Sequence, residues 1–218
     1  MTPPIECMLF DLDGTLADTA PDLANALNAT LEHFGQPPLA FEKIRPVVSH
    51  GGIALISLGF GMHPDDPGFE ERRQHLLQVY LDNICQSTRL FPGMDEVLQT
   101  LHEKNIPWGI VTNKPAWLTD PLMAALPMPC RTQVVISGDT CEHRKPHPQP
   151  LLLASERLHT PPGQCLYIGD AQRDIQAGKA AGMHTACALF GYIQEQDRPL
   201  EWQADFSLEQ PGDLLTLM

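Results

Sequence analysis

Five short apolar runs constrain the fold of this chain more than any other feature of its sequence. The runs contain few polar residues, and apolar and polar residues do not alternate within them. They lie at residues 5–10, 107–112, 132–137, 165–169 and 184–189. Continuous runs of this kind are typical of strands that are buried on both faces, as in a parallel sheet. The sequence therefore predicts a parallel β-sheet.

Helical patterns separate the later runs, at residues 92–104, 148–158 and 174–183. Pro92 is expected at the first position of its helix, and Gly182 is expected to cap the C-terminus of another. From about residue 89 onward, strands and helices alternate. This alternation predicts an α/β fold with a doubly wound, Rossmann-like parallel sheet.

The stretch from residue 16 to residue 88 interrupts this alternation. It contains two helical stripes of apolar residues, from Leu23 to Phe34 and from Phe69 to Ile84, but no convincing strand. Turns rich in Pro and Gly are expected beside these stripes, at residues 35–38, 51–52 and 64–68. We therefore predict a small helical cap domain, residues 16–88, inserted after the first strand of an α/β core made of residues 1–15 and 89–218.

Polar residues follow four of the predicted strands, at the point where each strand ends. Because the carboxyl ends of parallel strands share one edge of the sheet, where ligands bind, we expect these residues to converge beneath the cap. The four clusters are Asp11, Asp13, Gly14 and Thr15; Thr112, Asn113 and Lys114; Lys145; and Asp170 and Asp174.

Two of these carboxylates, Asp11 and Asp170, would concentrate negative charge at a cost unless a cation lies between them. Carboxylate and carbonyl oxygens suit Mg²⁺. A carboxylate such as Asp11 can also attack a phosphate and form an aspartyl-phosphate, while Asp13 acts as acid and then as base. Thr112 and Lys145 would donate hydrogen bonds and positive charge to the phosphoryl oxygens.

Each cluster also has an ordinary explanation when it is taken alone. Two aspartates spaced like Asp11 and Asp13 are common in loops, Thr112 could belong to a turn or a helix cap, and Asp170 could be a helix N-cap. Lys145 could be a solvated loop residue. The joint order is harder to explain by chance, because every cluster follows a strand at the same end.

The motifs DLDGT, TNK, KPHP and GDAQRD together resemble the haloacid dehalogenase superfamily, in its phosphatase branch, over essentially the whole chain. The resemblance implies a phosphomonoester hydrolase with Asp11 as nucleophile, Asp13 as general acid and base, and Thr112 and Lys145 as stabilisers of the phosphate. The residues expected beside the phosphate also include Gly14, Thr15 and Asn113.

The same resemblance implies Mg²⁺ as cofactor. Its expected ligands are Asp11, the backbone carbonyl of Asp13, and Asp170, with Asp174 supporting the metal directly or through water. Ala171 stands where many relatives have Ser or a second Asp, which removes one supporting group but none of these ligands.

Further stretches, including DTAPDL, KPHPQPLLLA and FGYI, are similar to bacterial phosphoglycolate phosphatases and N-acetylmuramic acid 6-phosphate phosphatases. The second group, which serves peptidoglycan recycling, implies a sugar-acid phosphate as substrate, and 2-phosphoglycolate is the alternative. Within RPVVSHGG, a substrate-binding role is expected for Arg45, Ser49, His50 and Gly51. The alternative for this stretch is a turn whose polar residues face water.

Three other functions fit these motifs less well. A haloacid dehalogenase would not need the acid/base group that Asp13 supplies, and a sugar phosphomutase would release product isomers instead of phosphate. A non-catalytic binding module is disfavoured because no motif residue is missing.

Composition narrows the partners of the chain. The formal net charge of −13 over 218 residues argues against a nucleic-acid-binding surface. Six cysteines without a C-x-x-C pair indicate free thiols, and the N-terminus lacks the pattern of a signal peptide. We expect a cytoplasmic monomer, without a membrane span, that acts on a small phosphorylated metabolite.

Overall fold

The computed structural model describes residues 5–132 and 134–218, and a six-stranded parallel sheet lies at its centre. The strands are β1 (Cys7–Phe10), β2 (Ala17–Asp18), β3 (Arg89–Leu90), β4 (Trp108–Val111), β5 (Val134–Ile136), β6 (Cys165–Gly169), β7 (His184–Ala188) and β8 (Phe206–Leu208). The strand order in the sheet is β5-β4-β1-β6-β7-β8, with every neighbouring pair parallel, and β2 pairs antiparallel with β3. The predicted α/β class and parallel sheet are confirmed.

All five apolar runs contain a strand. The run at residues 132–137 includes Gln133, which lies outside the described residues. Strand β8 escaped prediction because it has three residues and buries only Leu208 deeply. Such a short edge strand leaves no apolar run in the sequence.

The central strand β1 explains why its run does not alternate. Its four side chains are all fully buried. Met8 and Phe10 belong to the larger core cluster on one face of the sheet, and Cys7 and Leu9 belong to the cluster on the other. Since successive side chains of a strand point to opposite faces, a strand covered on both faces is apolar throughout.

Eight α-helices surround or extend this sheet in the described part of the chain. They are α1 (Ala20–His33), α2 (Phe41–Ile44), α3 (Gly51–Phe60), α4 (Phe69–Asp82), α5 (Met94–Glu103), α6 (Ala116–Ala125), α7 (Gln149–Arg157) and α8 (Gln172–Ala180). Gly182 adopts a φ of +74° just after α8, where Met183 N–H donates to the Gly178 carbonyl at 3.0 Å, so the predicted cap is confirmed.

Two predicted helix boundaries are wrong. Pro92 does not begin α5, because Gly93 takes a left-handed φ of +88° and the helix starts at Met94. Residues 51–52 do not form a turn between helices, because α3 begins there. A Cβ at Gly52 would lie 3.3 Å from Leu77 Cδ2, so the glycine permits close packing of α3 on α4 and tertiary contact outweighs its low helix propensity.

In chain order, helices α1 to α4 come between β2 and β3, which pair with each other. The stretch that contains these four helices is called here the helical segment. The side chain of Asp22 on α1 holds this junction, because it accepts hydrogen bonds from the backbone N–H groups of Ser87 and Thr88 and from the Thr88 hydroxyl. The division into two domains at these points stays a prediction. No helix in the described ranges is both long and apolar enough to cross a membrane.

Candidate active site

A cavity of about 450 Å³ opens between the carboxyl edge of the sheet and the helical segment. This volume is within the ordinary range of small-molecule sites. The sheet edge contributes Asp11, Asp13, Thr112, Asn113, Lys114 and Lys145, so strands β1, β4 and the chain after β5 converge as expected. The helical segment contributes Ser49, His50, Gly51, Gly52, Arg73 and Tyr80.

Three buried carboxylates form a cluster at this edge, in which one oxygen of each lies within 4.8 Å of one oxygen of each of the others: Asp11, Asp170 and Asp174. The ammonium of Lys145 lies 2.9 Å from Asp11 Oδ1 and 2.8 Å from Asp174 Oδ1. The guanidinium of Arg173 also interacts with the charges of all three carboxylates, and these two cations still leave the ionised cluster with excess negative charge. The tyrosine hydroxyl of Tyr167 also lies here, 2.6 Å from Lys145 Nζ.

Burial makes two of these carboxyl groups hard to ionise. Desolvation, opposed by the charge of Lys145, raises the pKa of Asp11 to about 6. Desolvation and the charges of Asp11 and Asp174 raise the pKa of Asp170 to about 7. The Oδ1 atom of Asp170 is buried and has no hydrogen-bond partner in the described part of the chain. An oxygen-only set with excess charge and an unpaired oxygen fits a hard cation such as Mg²⁺.

Glycines allow the backbone to pack closely around Asp170. Gly14 adopts a φ of +86°, and a Cβ added there would overlap Oδ2 of Asp170. The loop after β7 approaches from the other side, where the N–H of Tyr192 donates to the same Oδ2 at 2.8 Å. Thr15 is fully buried beside this turn, and its hydroxyl has no partner among the residues described.

Asp13 lies in a different environment from Asp11, although only one residue separates them. Its Oδ1 atom accepts hydrogen bonds from Lys114 Nζ at 2.7 Å and from the Thr19 hydroxyl at 2.6 Å. The side chain remains 15% exposed. Although burial alone lowers the pKa of Lys114, the charge of Asp13 and contact with Tyr80 raise it above its ordinary value, so the ammonium stays charged.

The residues that follow β4 line the cavity, and one of them, Asn113, also holds the backbone of Lys145 in place. The amide of Asn113 donates to the backbone carbonyl of Lys145 at 2.9 Å and accepts from its N–H at 3.0 Å. The hydroxyl of Thr112 accepts from the N–H of Lys114 at 3.1 Å. Both the amide nitrogen and the amide oxygen of Asn113 thus contribute to fixing the backbone of Lys145.

The 3₁₀ turn at Arg45–His50 brings the helical segment onto the carboxylate cluster. The Ser49 hydroxyl donates to Asp170 Oδ2 at 2.8 Å, and Arg173 donates to the Ser49 carbonyl at 2.7 Å. Arg45 is not among the residues that line the cavity. Its guanidinium lies 4.9 Å from the ring centre of Tyr192 and donates to the Gly191 carbonyl at 3.2 Å.

The family model for haloacid dehalogenase-like hydrolases matches residues 8–188, which include all four motifs. The chain belongs to this family. A member of it, the phosphoglycolate phosphatase of Xanthomonas campestris pv. campestris (strain 8004), is 44% identical over 95% of this chain and 93% of its own length. The N-acetylmuramic acid 6-phosphate phosphatase of Pseudomonas aeruginosa is 37% identical over 98% of this chain and 95% of its own.

Solved structures of haloacid dehalogenase-like hydrolases share the fold. The crystal structure of a predicted phosphoglycolate phosphatase from Haemophilus somnus 129PT superposes with a TM-score of 0.86 and 25% identity, over 98% of this chain and 97% of that one. The hydrolase described here is a phosphatase that acts on a small phosphorylated substrate.

Sequence reasoning gave no role to several residues at the site of this hydrolase. Lys114 was visible beside Thr112, but nothing local shows that it reaches Asp13, 101 residues away in sequence. Tyr80 lies within the apolar stripe from Phe69 to Ile84, and the sequence pattern assigns nothing to Arg173. Only the cavity shared by sheet and helices brings these three together.

Proposed function

We propose that this protein is a Mg²⁺-dependent phosphomonoester hydrolase that works through an aspartyl-phosphate on Asp11. The observation that carries the proposal is the position of Asp11. It lines the cavity, contacts Lys145 at 2.9 Å and shares a cluster with Asp170 and Asp174.

Hydrogen bonding distinguishes the two oxygens of Asp11. Oδ1 accepts from the N–H of Leu12 at 2.7 Å and pairs with Lys145. Oδ2 is therefore the atom assigned to attack the phosphorus. Asp11, the Asp13 carbonyl and Asp170 would hold Mg²⁺, with Asp174 beside them; when bound, the ion reduces repulsion between the carboxylate and the phosphate dianion.

Asp13 is assigned the proton transfers. As the bond between phosphorus and the ester oxygen breaks, Asp13 gives its proton to that oxygen and the alcohol leaves. The carboxylate then takes a proton from the water that attacks the aspartyl-phosphate, which frees Asp11 and releases phosphate. Its position at the cavity, with partial exposure, suits a group that meets both leaving group and water.

The hydrogen-bond donors around Asp11 are assigned to bind the phosphoryl oxygens. Thr112 and Lys145 line the cavity next to Asp11 and would bind the negative charge that develops in the transition state. Gly14 and Thr15, whose hydroxyl has no partner among the described residues, shape the turn beside Asp11. Asn113 would act through its two hydrogen bonds to Lys145.

N-acetylmuramic acid 6-phosphate is the first candidate substrate and 2-phosphoglycolate the second. A cavity of about 450 Å³ with polar walls from both the sheet and the helical segment leaves room for a sugar acid. The wall from the helical segment includes Ser49, His50 and Gly51, which are assigned to bind the leaving group. Arg45 would act indirectly, because it lies outside the cavity lining and donates to the Gly191 carbonyl. The 44% identity to a phosphoglycolate phosphatase supports the second candidate. We place the reaction in the cytoplasm and expect a monomer.

Phosphate release from both esters, with Mg²⁺ and after EDTA treatment, tests the proposal. We expect activity only with the metal, and loss of activity in Asp11→Asn. Metal-independent turnover, or isomerised product without free phosphate, would overturn the assignment. The ratio of kcat/KM for the two esters decides between the substrates.

A further inference from the structure

We propose that Lys114 and Tyr80 form a subsite for the leaving group, and that this subsite binds an oxygen atom on the second carbon from the phosphate ester. The inference rests on the proposed function, in which Asp13 contacts the ester oxygen. It adds a substrate feature, because the proposed reaction gives no role to Lys114 or to Tyr80.

The subsite joins the two walls of the cavity. Lys114 follows β4 and its ammonium lies 2.7 Å from Asp13 Oδ1. The same ammonium lies 4.6 Å from the ring centre of Tyr80, which α4 contributes from the helical segment. Only 7% of the Lys114 side chain is exposed, and Tyr80 is fully buried, yet both line the cavity.

These two side chains have donors to spare. A lysine ammonium has three N–H donors, and Asp13 accepts one hydrogen bond from Lys114. The Tyr80 hydroxyl is buried without a hydrogen-bond partner in the part of the chain that the structure describes. Leaving such a donor unpaired costs free energy, so a ligand oxygen that accepts from it would bind favourably. The proposed reaction uses neither group.

The position of Asp13 fixes which part of a substrate would meet these donors. An acid must come within hydrogen-bond distance of the ester oxygen that it protonates. Lys114, in contact with Asp13, then lies beside the atoms that follow this oxygen. An oxygen on the second carbon lies close enough to the ester oxygen for the two to contact Lys114 and Asp13 side by side.

Both candidate substrates carry an oxygen at this place. In 2-phosphoglycolate it belongs to the carboxylate, and in a pyranose 6-phosphate such as N-acetylmuramic acid 6-phosphate it is the ring oxygen. Ethyl phosphate has the same ester and the same two carbons but lacks the oxygen. The subsite therefore favours the first two esters over the third.

The test compares kcat/KM for these three esters in the wild type, Lys114→Met and Tyr80→Phe. Because all three esters need Asp13, a change in its behaviour cancels in the ratio of each oxygen-bearing ester to ethyl phosphate. We expect the wild type to prefer an oxygen-bearing ester by at least about tenfold, Lys114→Met to lower this ratio about tenfold, and Tyr80→Phe to lower it about threefold, mainly through KM. Arg144→Met, which removes another cation from the cavity lining, is the matched control and should keep the ratio.

The outcomes separate the subsite from the proposed function. A lowered ratio for 2-phosphoglycolate alone identifies the carboxylate as the ligand, and a lowered ratio for the sugar phosphate alone identifies the ring oxygen. An unchanged ratio in folded Lys114→Met and in Tyr80→Phe, or an equal fall in Arg144→Met, would overturn the subsite. If Lys114→Met does not fold, Tyr80→Phe decides, since it removes only the hydroxyl. Turnover of none of the esters by the wild type would instead refute the proposed function.

Discussion

Gly191, in the loop after β7, offers a sharp test of how the carboxylate cluster is built. A Cβ added there would overlap Cβ of Asp170 and would lie 2.5 Å from the Gly14 carbonyl oxygen. Real Cβ contacts essentially never fall below 3.0 Å. One obstructing atom belongs to the backbone and the other to a short side chain, so Gly191→Ala must displace Asp170 or the loop.

The cost follows from this geometry. Forcing an extra methyl group into a well-packed site costs about 1–3 kcal/mol. For a chain of this size, a loss of about 2 kcal/mol lowers the melting temperature by about 4–8 °C. Because Asp170 loses its position, we also expect the Mg²⁺ affinity to fall about tenfold to hundredfold, as when the support of a metal ligand is removed.

Differential scanning calorimetry of the EDTA-treated protein and calorimetric titration with Mg²⁺ measure the two effects. The matched control is Gly212→Ala, because a Cβ at that position meets no atom of the described residues within 4 Å. We expect the control to stay within about 0.5 kcal/mol of the wild type. If Gly191→Ala matched this control in both stability and Mg²⁺ affinity, Asp170 would not be a metal ligand held by this loop.

Three further predictions concern the carboxylates and their lysine. Asp11→Asn should lower kcat at least about a thousandfold while the melting temperature is kept, since it removes the nucleophile but preserves the shape of the side chain; substantial residual turnover would assign the attack to another group. Lys145→Met should destabilise the protein by about 3–5 kcal/mol in urea unfolding, because Asp11 and Asp174 lose their shared cation; a variant as stable as the wild type would contradict these contacts. The pKa of Asp11, raised to about 6, and that of Asp170, raised to about 7, both exceed the ordinary 3.8, so between about pH 4 and pH 7 the folded state binds more protons than the unfolded state. Stability of the EDTA-treated protein should therefore fall as pH rises through this window, and Mg²⁺ should raise the melting temperature more at pH 7.5 than at pH 5; the opposite trend would show that the carboxylates are not destabilised by burial.

Helix starts show the limit of local prediction. The sequence pattern placed a turn at residues 51–52, whereas packing against Leu77 makes them the start of α3. Pro92 is by itself an acceptable first helical residue, but Gly93 adopts a left-handed conformation, so α5 begins at Met94. In both cases a glycine lies at the boundary: the lack of a side chain lets Gly52 pack closely against Leu77 and lets Gly93 adopt a positive φ.

Local sequence patterns were enough to predict the parallel sheet and the groups that meet at its edge. A strand covered on both faces must be apolar throughout, and carboxyl ends of parallel strands share one edge, so the positions of Asp11, Thr112, Lys145 and Asp170 follow from local patterns. Which side chains pair across that edge became visible in the folded structure. Lys114 and Asp13 are in contact although they are 101 positions apart in sequence, and a local periodicity cannot predict a contact over such a sequence separation. A pattern of apolar residues reports burial, whereas the partner of a charged side chain depends on the folded arrangement of the whole chain.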